Sequence, residues 1–296
     1  MGIAEKIPLY KKGLVYISFT ALLWSTSGFF IKYLSISAYQ ISFYRSSIAA
    51  ITIFAVAKLR KQSLKFEFDT ISILSSIFYA GVLLGFVMAT KMTTAANAIF
   101  LQFTAPIYLL VLEPIFLKTK FEPRNVITIL FCIAGMILFF FGKLELGNIY
   151  GNIIAIASGI CFAFFALLVK WKKQSGKSGN TLHTVIIGNA MVSVTAFLII
   201  FPNFSLTSIQ TLSLIYMGIF QIGISYMIFN EGIKYVSATE SMIIAMMEAI
   251  FNPVWVFIGI GEVPSIYSII GGVIIFSAII WRSFGSREVD KVVMVD

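Results

Sequence analysis

A carboxylate stands near the middle of the apolar run Ala238 to Pro253, ATESMIIAMMEAIFNP, and an Asn-Pro pair closes it. Glu248 could titrate and so couple proton movement to a solute. It could accept hydrogen bonds from an amine, or sit protonated against a neighbouring helix. Stepping four, three and four residues along one helix face joins Ser241, Ala245, Glu248 and Asn252. Arg45, in ISFYRSSIAA, is a second charge within an apolar run. A guanidinium can hold a carboxylate through two parallel hydrogen bonds. A fixed ion pair or a snorkelling side chain is the plainer alternative. Glu113, near Lys118 and Arg124, reads as an interfacial ion pair, and Glu231 beside Lys234 as a helix-end charge.

Other reactive side chains are sparse. Cys132 and Cys161 lie in apolar runs and read as small packing residues. The single His183 has no second ligand at HExxH or CxxC spacing, so neither a metal site nor a disulfide framework is expected. No G-x-x-x-x-G-K-[ST] pattern marks a nucleotide site, and no cofactor is implied. An intramembrane enzyme would need clustered catalytic groups. Here there is one histidine, and no aspartate lies within an apolar run.

The elements that must position these residues follow from composition. Hydrophobic residues make up 59% of the 296 and charged residues 12%, and the mean hydropathy is +0.94. A soluble domain carries about 25% charged residues. A chain so poor in charge cannot coat a globule with polar surface, and the lipid bilayer is its expected solvent. Breaks rich in charge, Pro, Gly or Asn leave ten apolar runs: 14–34, 38–57, 70–90, 94–117, 125–142, 149–169, 182–201, 209–231, 237–259 and 265–282. Each approaches the roughly 20 residues that a helix needs to cross hydrocarbon. The first run, behind Lys11 and Lys12, is too long for a secretory signal and reads as a retained span.

Charge orients the spans. With the amino terminus cytoplasmic, eighteen of the 22 Lys and Arg residues fall in inside segments. Lys32, Lys91 and Lys143 fall outside, and Arg45 lies within the second span. This asymmetry predicts a multi-pass protein of the inner (plasma) membrane with both termini cytoplasmic. It also accounts for the net charge of +9. No basic soluble face with interleaved aromatics is present, so nucleic acid is not an expected partner.

The two halves echo each other. ATKMTTAANA at 89–98 lies over GIKYVSATES at 232–241, and WSTSGFFIKY at 24–33 over FAFFALLVKW at 162–171. Both matches map spans one to five onto six to ten in the same order. Pro106 and Pro253 fall in spans four and nine and are expected hinges, because each removes a backbone donor and kinks its helix. An odd number of spans per unit makes the second unit enter from the opposite side, which is the inverted-repeat architecture of secondary transporters. The expected fold is therefore all-α integral membrane, with ten transmembrane helices as two inverted five-helix repeats. Residues 1–145 form the first, 146–284 the second, and 285–296 a cytoplasmic tail. Under that alignment Gln102 and Glu248 lie on equivalent stripes and face one space from opposite halves.

At this point the chain resembles the drug/metabolite transporter superfamily, specifically its EamA-type members. The features that carry the likeness are TAANAIFLQFTAPIYLLVLEPIF in span four, YVSATESMIIAMMEAIFNPVW in span nine, and the Gly261-Glu262 turn. ALLWSTSGFFIK and the arginine of ISFYRSSIAA also fit, and the likeness covers essentially the whole chain. One departure is Thr119-Lys120, where the first half of the family usually carries Gly-Glu. The resemblance implies a ten-helix bundle around a central cavity, with spans five and ten serving packing or homodimer contacts. It implies an aromatic cavity lining drawn here from Trp24, Tyr79, Phe162, Phe165 and Tyr226. With Arg45, Gln102, Asn230, Glu248 and Asn252 these complete the candidate binding set. The implied substrates are amino acids, metabolites, nucleotide-related compounds or drugs. The reading is a gradient-driven or facilitated carrier, an amino-acid or metabolite exporter by alternating access, with Glu248 as the proton-coupling group. An uptake permease for a metabolite or nucleotide-related compound is the alternative. A channel would show a Gly-rich filter or charge rings, and neither is present.

Overall fold

Helix starts are written into this chain as side chains that accept hydrogen bonds from otherwise orphaned amides. Ser37, Asp69, Thr94, Asn148, Thr207 and Ser237 each cap the helix that follows, and Thr207 with Gln210 completes a capping box. Pro123 occupies the first turn of another, where its missing N–H costs nothing.

The computed structural model describes residues 3–62, 64, 66–141, 148–175, 181–201, 205–260 and 265–292. In chain order the helices are α1 (Ile3–Trp24), α2 (Ser27–Tyr33), α3 (Ala38–Leu59), α4 (Thr70–Met92), α5 (Ala95–Gln102), α6 (Ala105–Leu117) and α7 (Pro123–Phe139). They continue as α8 (Ile149–Gln174), α9 (Leu182–Ile200), α10 (Ser208–Tyr216), α11 (Ser225–Gly232), α12 (Ala238–Ala245), α13 (Met247–Ile260) and α14 (Ile266–Val292). A π-helical stretch, Met217–Ile224, joins α10 to α11 without a break. No strand occurs among the described residues. Eight helical stretches are long and apolar enough to cross a membrane, and α7 is a shorter apolar helix. Side chains such as Leu59, Val111, Leu130, Leu198 and Leu212 are exposed on the outside. In a bilayer those faces meet acyl chains.

Several expected spans are interrupted. The first breaks at Ser25-Thr26, the fourth at Phe103-Thr104 and the ninth at Met246. Pro106 lies in the first turn of α6, just after its break. In the ninth span the break comes seven residues ahead of Pro253, which lies inside α13 and whose side chain falls outside the described residues. The Gly261-Glu262 turn also lies outside the described residues.

Packing alternates between the two sequence halves. α4 lies on α8 and α1 on α11, α3 on α9 and α7 on α14. Where α7 crosses α14 the backbones touch: a Cβ on Gly271 would sit 2.5 Å from both Gly135 O and Phe139 N. Small residues at such crossings let helices approach where lipid offers no hydrophobic drive to association.

Polar contacts cluster at the helix ends. Lys32 Nζ donates to Thr93 O at 2.7 Å and Lys91 Nζ to Leu34 O at 2.5 Å. Lys170 Nζ donates to Ile233 O at 3.0 Å and to Val236 O at 2.6 Å. Asn97 Nδ2 donates to Asn152 Oδ1 at 3.2 Å, while Tyr10 donates to Glu240. Glu231, expected as a helix-end charge, pairs with Lys234 at 2.6 Å. Glu113 differs from expectation: its oxygens accept from the amides of Ala238 at 2.9 Å and Thr239 at 2.7 Å. The carboxylate thus caps α12, 125 residues away, where the orphan amides and the helix dipole favour a negative charge.

Candidate functional site

The breaks and the π-helical stretch converge on one buried cavity. Its wall is built from Trp24 and Ser27 on either side of the first break, Arg45 of α3, and Val82, Leu83 and Phe86 of α4. Gln102 ends α5, Phe162 comes from α8, Gln221 and Ile222 from the π-helical stretch, Tyr226 from α11, and Glu248 from the first turn of α13. The cavity's volume is about 30 Å³, room for about one water molecule, so its walls must part to admit an organic solute. Every one of its lining residues is buried.

An aromatic side and a polar side face each other. The Trp24 ring lies 4.7 Å from Tyr226 and 5.5 Å from Phe162, and its Nε1 donates to Ser225 Oγ at 2.9 Å. That bond fixes the indole, so its face rather than its edge N–H is offered inward. On the polar side Gln102 Nε2 donates to Ser158 Oγ at 2.8 Å, and Ser158 Oγ donates onward to Val82 O at 3.2 Å. A Cβ on Gly159 would be 2.7 Å from Gln102 O. Glycine there lets α8 press against the α5–α6 break.

Arg45 and Glu248 are the two charged side chains of the wall. Arg45 Nη2 donates to Leu83 O at 3.1 Å, and among the described residues no protein acceptor meets its Nε. Glu248 Oε1 receives the Ser27 hydroxyl at 3.4 Å. Neither residue forms an ion pair among the described residues. The plainer sequence reading of Arg45, a fixed ion pair or a snorkelling chain, is therefore not what the fold builds. Its guanidinium is buried and held mainly by one carbonyl. A buried charge without a partner is costly, and a site that receives a charged ligand is a place where that cost has a use.

Of the candidate residues, Trp24, Arg45, Gln102, Phe162, Tyr226 and Glu248 meet around this cavity. Tyr79 and Phe165 lie one layer behind. Tyr79 packs edge-on against Tyr226 at 4.7 Å and accepts from Asn189 Nδ2 at 3.0 Å, and the Phe165 ring lies tilted against Tyr79 at 5.0 Å. Asn230 is drawn off to Thr181, whose hydroxyl donates to its Oδ1 at 2.5 Å. Asn252, one turn beyond Glu248, is buried against Gly28, where a Cβ would come within 2.7 Å of its Nδ2. Two polar lining residues escaped the sequence reading. Ser27 marks the first break, and Gln221 is a lone amide in IYMGIFQIGISYMIF. An uncharged amide deep in such a run was itself the available signal.

Among the described residues no group of His, Cys, Asp and Glu could hold a metal ion. The arrangement suits binding: one cation, one carboxylate, two amides and several aromatic faces, all withdrawn from the exterior.

The model of the EamA-like transporter family matches residues 11–141 and again residues 149–284. A protein of Archaeoglobus fulgidus named as an uncharacterized transporter is 23% identical over 274 residues, covering 89% of this chain and 94% of the relative. Human solute carrier family 35 member G1 is 23% identical over 296 residues, covering 93% of this chain and 79% of its own. A solved crystal structure superposes with a TM-score of 0.77 at 15% identity, covering 92% of this chain and 97% of the other. At that identity the likeness speaks for the fold.

Proposed function

Because this chain belongs to the EamA-like transporter family, we propose that it is a secondary transporter that exports amino acids or related metabolites by alternating access. Arg45 and Glu248 in one buried cavity carry this reading. A zwitterion matches two opposite charges that do not neutralise each other: its carboxylate meets Arg45 and its ammonium Glu248. The aromatic side accommodates the solute's apolar part. Solute and proton exchange at Glu248 would couple transport to a pH gradient, and no cofactor is required.

Ten crossings, arranged as inverted units over 1–145 and 146–284, supply the mechanics. Several paired observations support that architecture. The breaks at Phe103 and Met246 are 143 residues apart, and so are Lys91 and Lys234, the lysines that align the halves. Lys32 bonds Thr93 O as Lys170 bonds Val236 O, so each unit ties its first helix to the end of its third. The contact of α1 with α11 mirrors that of α8 with α4. Rocking of one unit on the other would open the cavity alternately to each side, with the interrupted spans near Pro106 and Pro253 as bending points. Both termini and the 285–296 tail lie on the cytoplasmic side of the inner membrane in this reading.

Transport in proteoliposomes against a panel of amino acids, nucleosides and cationic drugs tests it. Saturable movement of at least one amino acid is expected, with Arg45→Gln slowing it tenfold or more. A panel in which nothing moves faster than through protein-free vesicles would overturn the reading, as would termini labelled in different compartments.

A further inference from the structure

We infer that Gln221 gives the cavity its preference for solutes bearing an ammonium group. The inference rests on the transporter reading above and names a residue that discriminates among its substrates.

Gln221 lies inside the π-helical stretch Met217–Ile224, a wide turn of a kind frequent at functional sites. Gly218 lets that stretch press on α3 beside Arg45, where a Cβ would come 2.5 Å from Ile48 Cβ and 3.0 Å from Arg45 O. Gly223 does the same against Thr52, at 3.0 Å. The wide turn therefore sets Gln221 in the same wall as Arg45.

The hydrogen bonds then orient the amide. Thr26 Oγ1 donates its hydrogen to Leu23 O at 3.0 Å, so it can only accept from Gln221. Gln221 Nε2 is 3.0 Å from that oxygen. Turning the amide over would set two acceptors against each other. The carbonyl oxygen Oε1 thus points away from Thr26, and among the described residues no protein donor reaches it. A buried carbonyl without a donor is unfavourable, and each such group calls for an explanation.

Chemistry in the cavity supplies one. Glu248 is another acceptor of the wall, and the hydrogen bond it receives from Ser27 is long, 3.4 Å. Two acceptors short of donors therefore share the cavity with Arg45. An ammonium brings three N–H groups and meets both. Gln102 differs: its Nε2 is given to Ser158, and its carbonyl oxygen is not a buried atom left without a partner. A solute with a carboxylate and no amine would meet Arg45 and leave Gln221 Oε1 without a donor.

The test compares L-leucine and L-phenylalanine with their deaminated counterparts, 4-methylpentanoate and 3-phenylpropanoate, by calorimetric titration of the purified full chain. Gln221→Met keeps length and removes the acceptor. It should weaken amino-acid binding by roughly 10-fold to 100-fold, the range of a hydrogen bond to a charged group, and leave the deaminated acids unchanged. Thr26→Val removes no group assigned to the solute and frees the amide to turn. It should lower the same preference by a smaller factor. If leucine or phenylalanine binds and neither variant changes its ratio to the deaminated acid, the role of Gln221 is refuted while the transporter reading stands. If neither amino acid binds the unaltered chain while the deaminated acids do, the ammonium preference itself is refuted. If none of the four binds, the amino-acid reading of the cavity falls with it.

Discussion

Replacing Glu248 by glutamine should uncouple transport from the pH gradient without stopping transport. Glu248 is the one acidic side chain in the cavity wall, so one proton is the expected stoichiometry per cycle. With the membrane potential clamped to zero, a gradient of one pH unit then supplies about 1.4 kcal/mol, enough for roughly tenfold accumulation of solute. Glu248→Gln keeps the carbonyl that receives the Ser27 hydroxyl and removes the titrating oxygen. Accumulation should fall from about tenfold to none, while exchange of labelled for unlabelled solute continues because Arg45 and the aromatic side are intact. A charged carboxylate in a membrane helix is itself costly, by about 2.5–3.5 kcal/mol on insertion scales. The variant should therefore melt no lower than the original protein, and a loss of gradient response cannot be blamed on unfolding. The assay is solute accumulation in proteoliposomes under a potassium and valinomycin clamp, at pH differences of zero and one. Undiminished accumulation in Glu248→Gln would refute the coupling role. A hundredfold accumulation in the original protein would reveal a second coupled proton and refute the stoichiometry.

Two further outcomes test the architecture. Gly271→Ala sets a Cβ 2.5 Å from backbone of α7, and should destabilise by about 1–3 kcal/mol or more. The adjacent Gly272→Ala, whose Cβ would find nothing nearer than Ile250 Cγ2 at 3.5 Å, should be tolerated, and equal melting temperatures for the two variants would contradict the crossing. At the start of α4, burial raises the Asp69 carboxyl, but hydrogen bonds from Lys172 and Ser72 outweigh it and hold its pKa below the ordinary 3.8. A depressed carboxyl stabilises the fold above its unfolded pKa and stops doing so as pH falls through the folded one. Asp69→Ala should thus cost about 1 kcal/mol of capping at pH 7, with the deficit shrinking below about pH 4. A melting-temperature difference that stays constant or widens in acid would contradict that assignment.

The site was partly legible in the chain itself. Arg45, Gln102 and Glu248 stand out because a polar group inside a twenty-residue apolar run needs a reason to be there. By the same rule Gln221 was legible and was passed over, since nothing in a 3.6-residue period announces a π-helical turn. Tyr79 and Phe165 show the limit of aromatic content as a guide. Periodicity separates interior from lipid but does not separate the cavity wall from the layer behind it. Glu113 shows the limit of proximity in sequence: its nearest cations along the chain are Lys118 and Lys120, yet its partners are the amides that open α12. Spans four and nine, which hold Pro106 and Pro253, are interrupted three residues before the one and seven before the other, while span one is interrupted with no proline at all.

Composition alone determined that this chain is a set of apolar helices solvated by lipid, because a peptide group in hydrocarbon must find its partner within its own segment. The capping residues determined where those helices start, since that chemistry is local. Which polar groups meet was decided only by tertiary structure. Arg45 lies far along the chain from Gln221 and Glu248, and the crossing of α3, the π-helical stretch and α13 sets their encounter. Helix association in lipid depends on close surface fit rather than on burial of apolar area, and fit between distant segments is not encoded in any one of them.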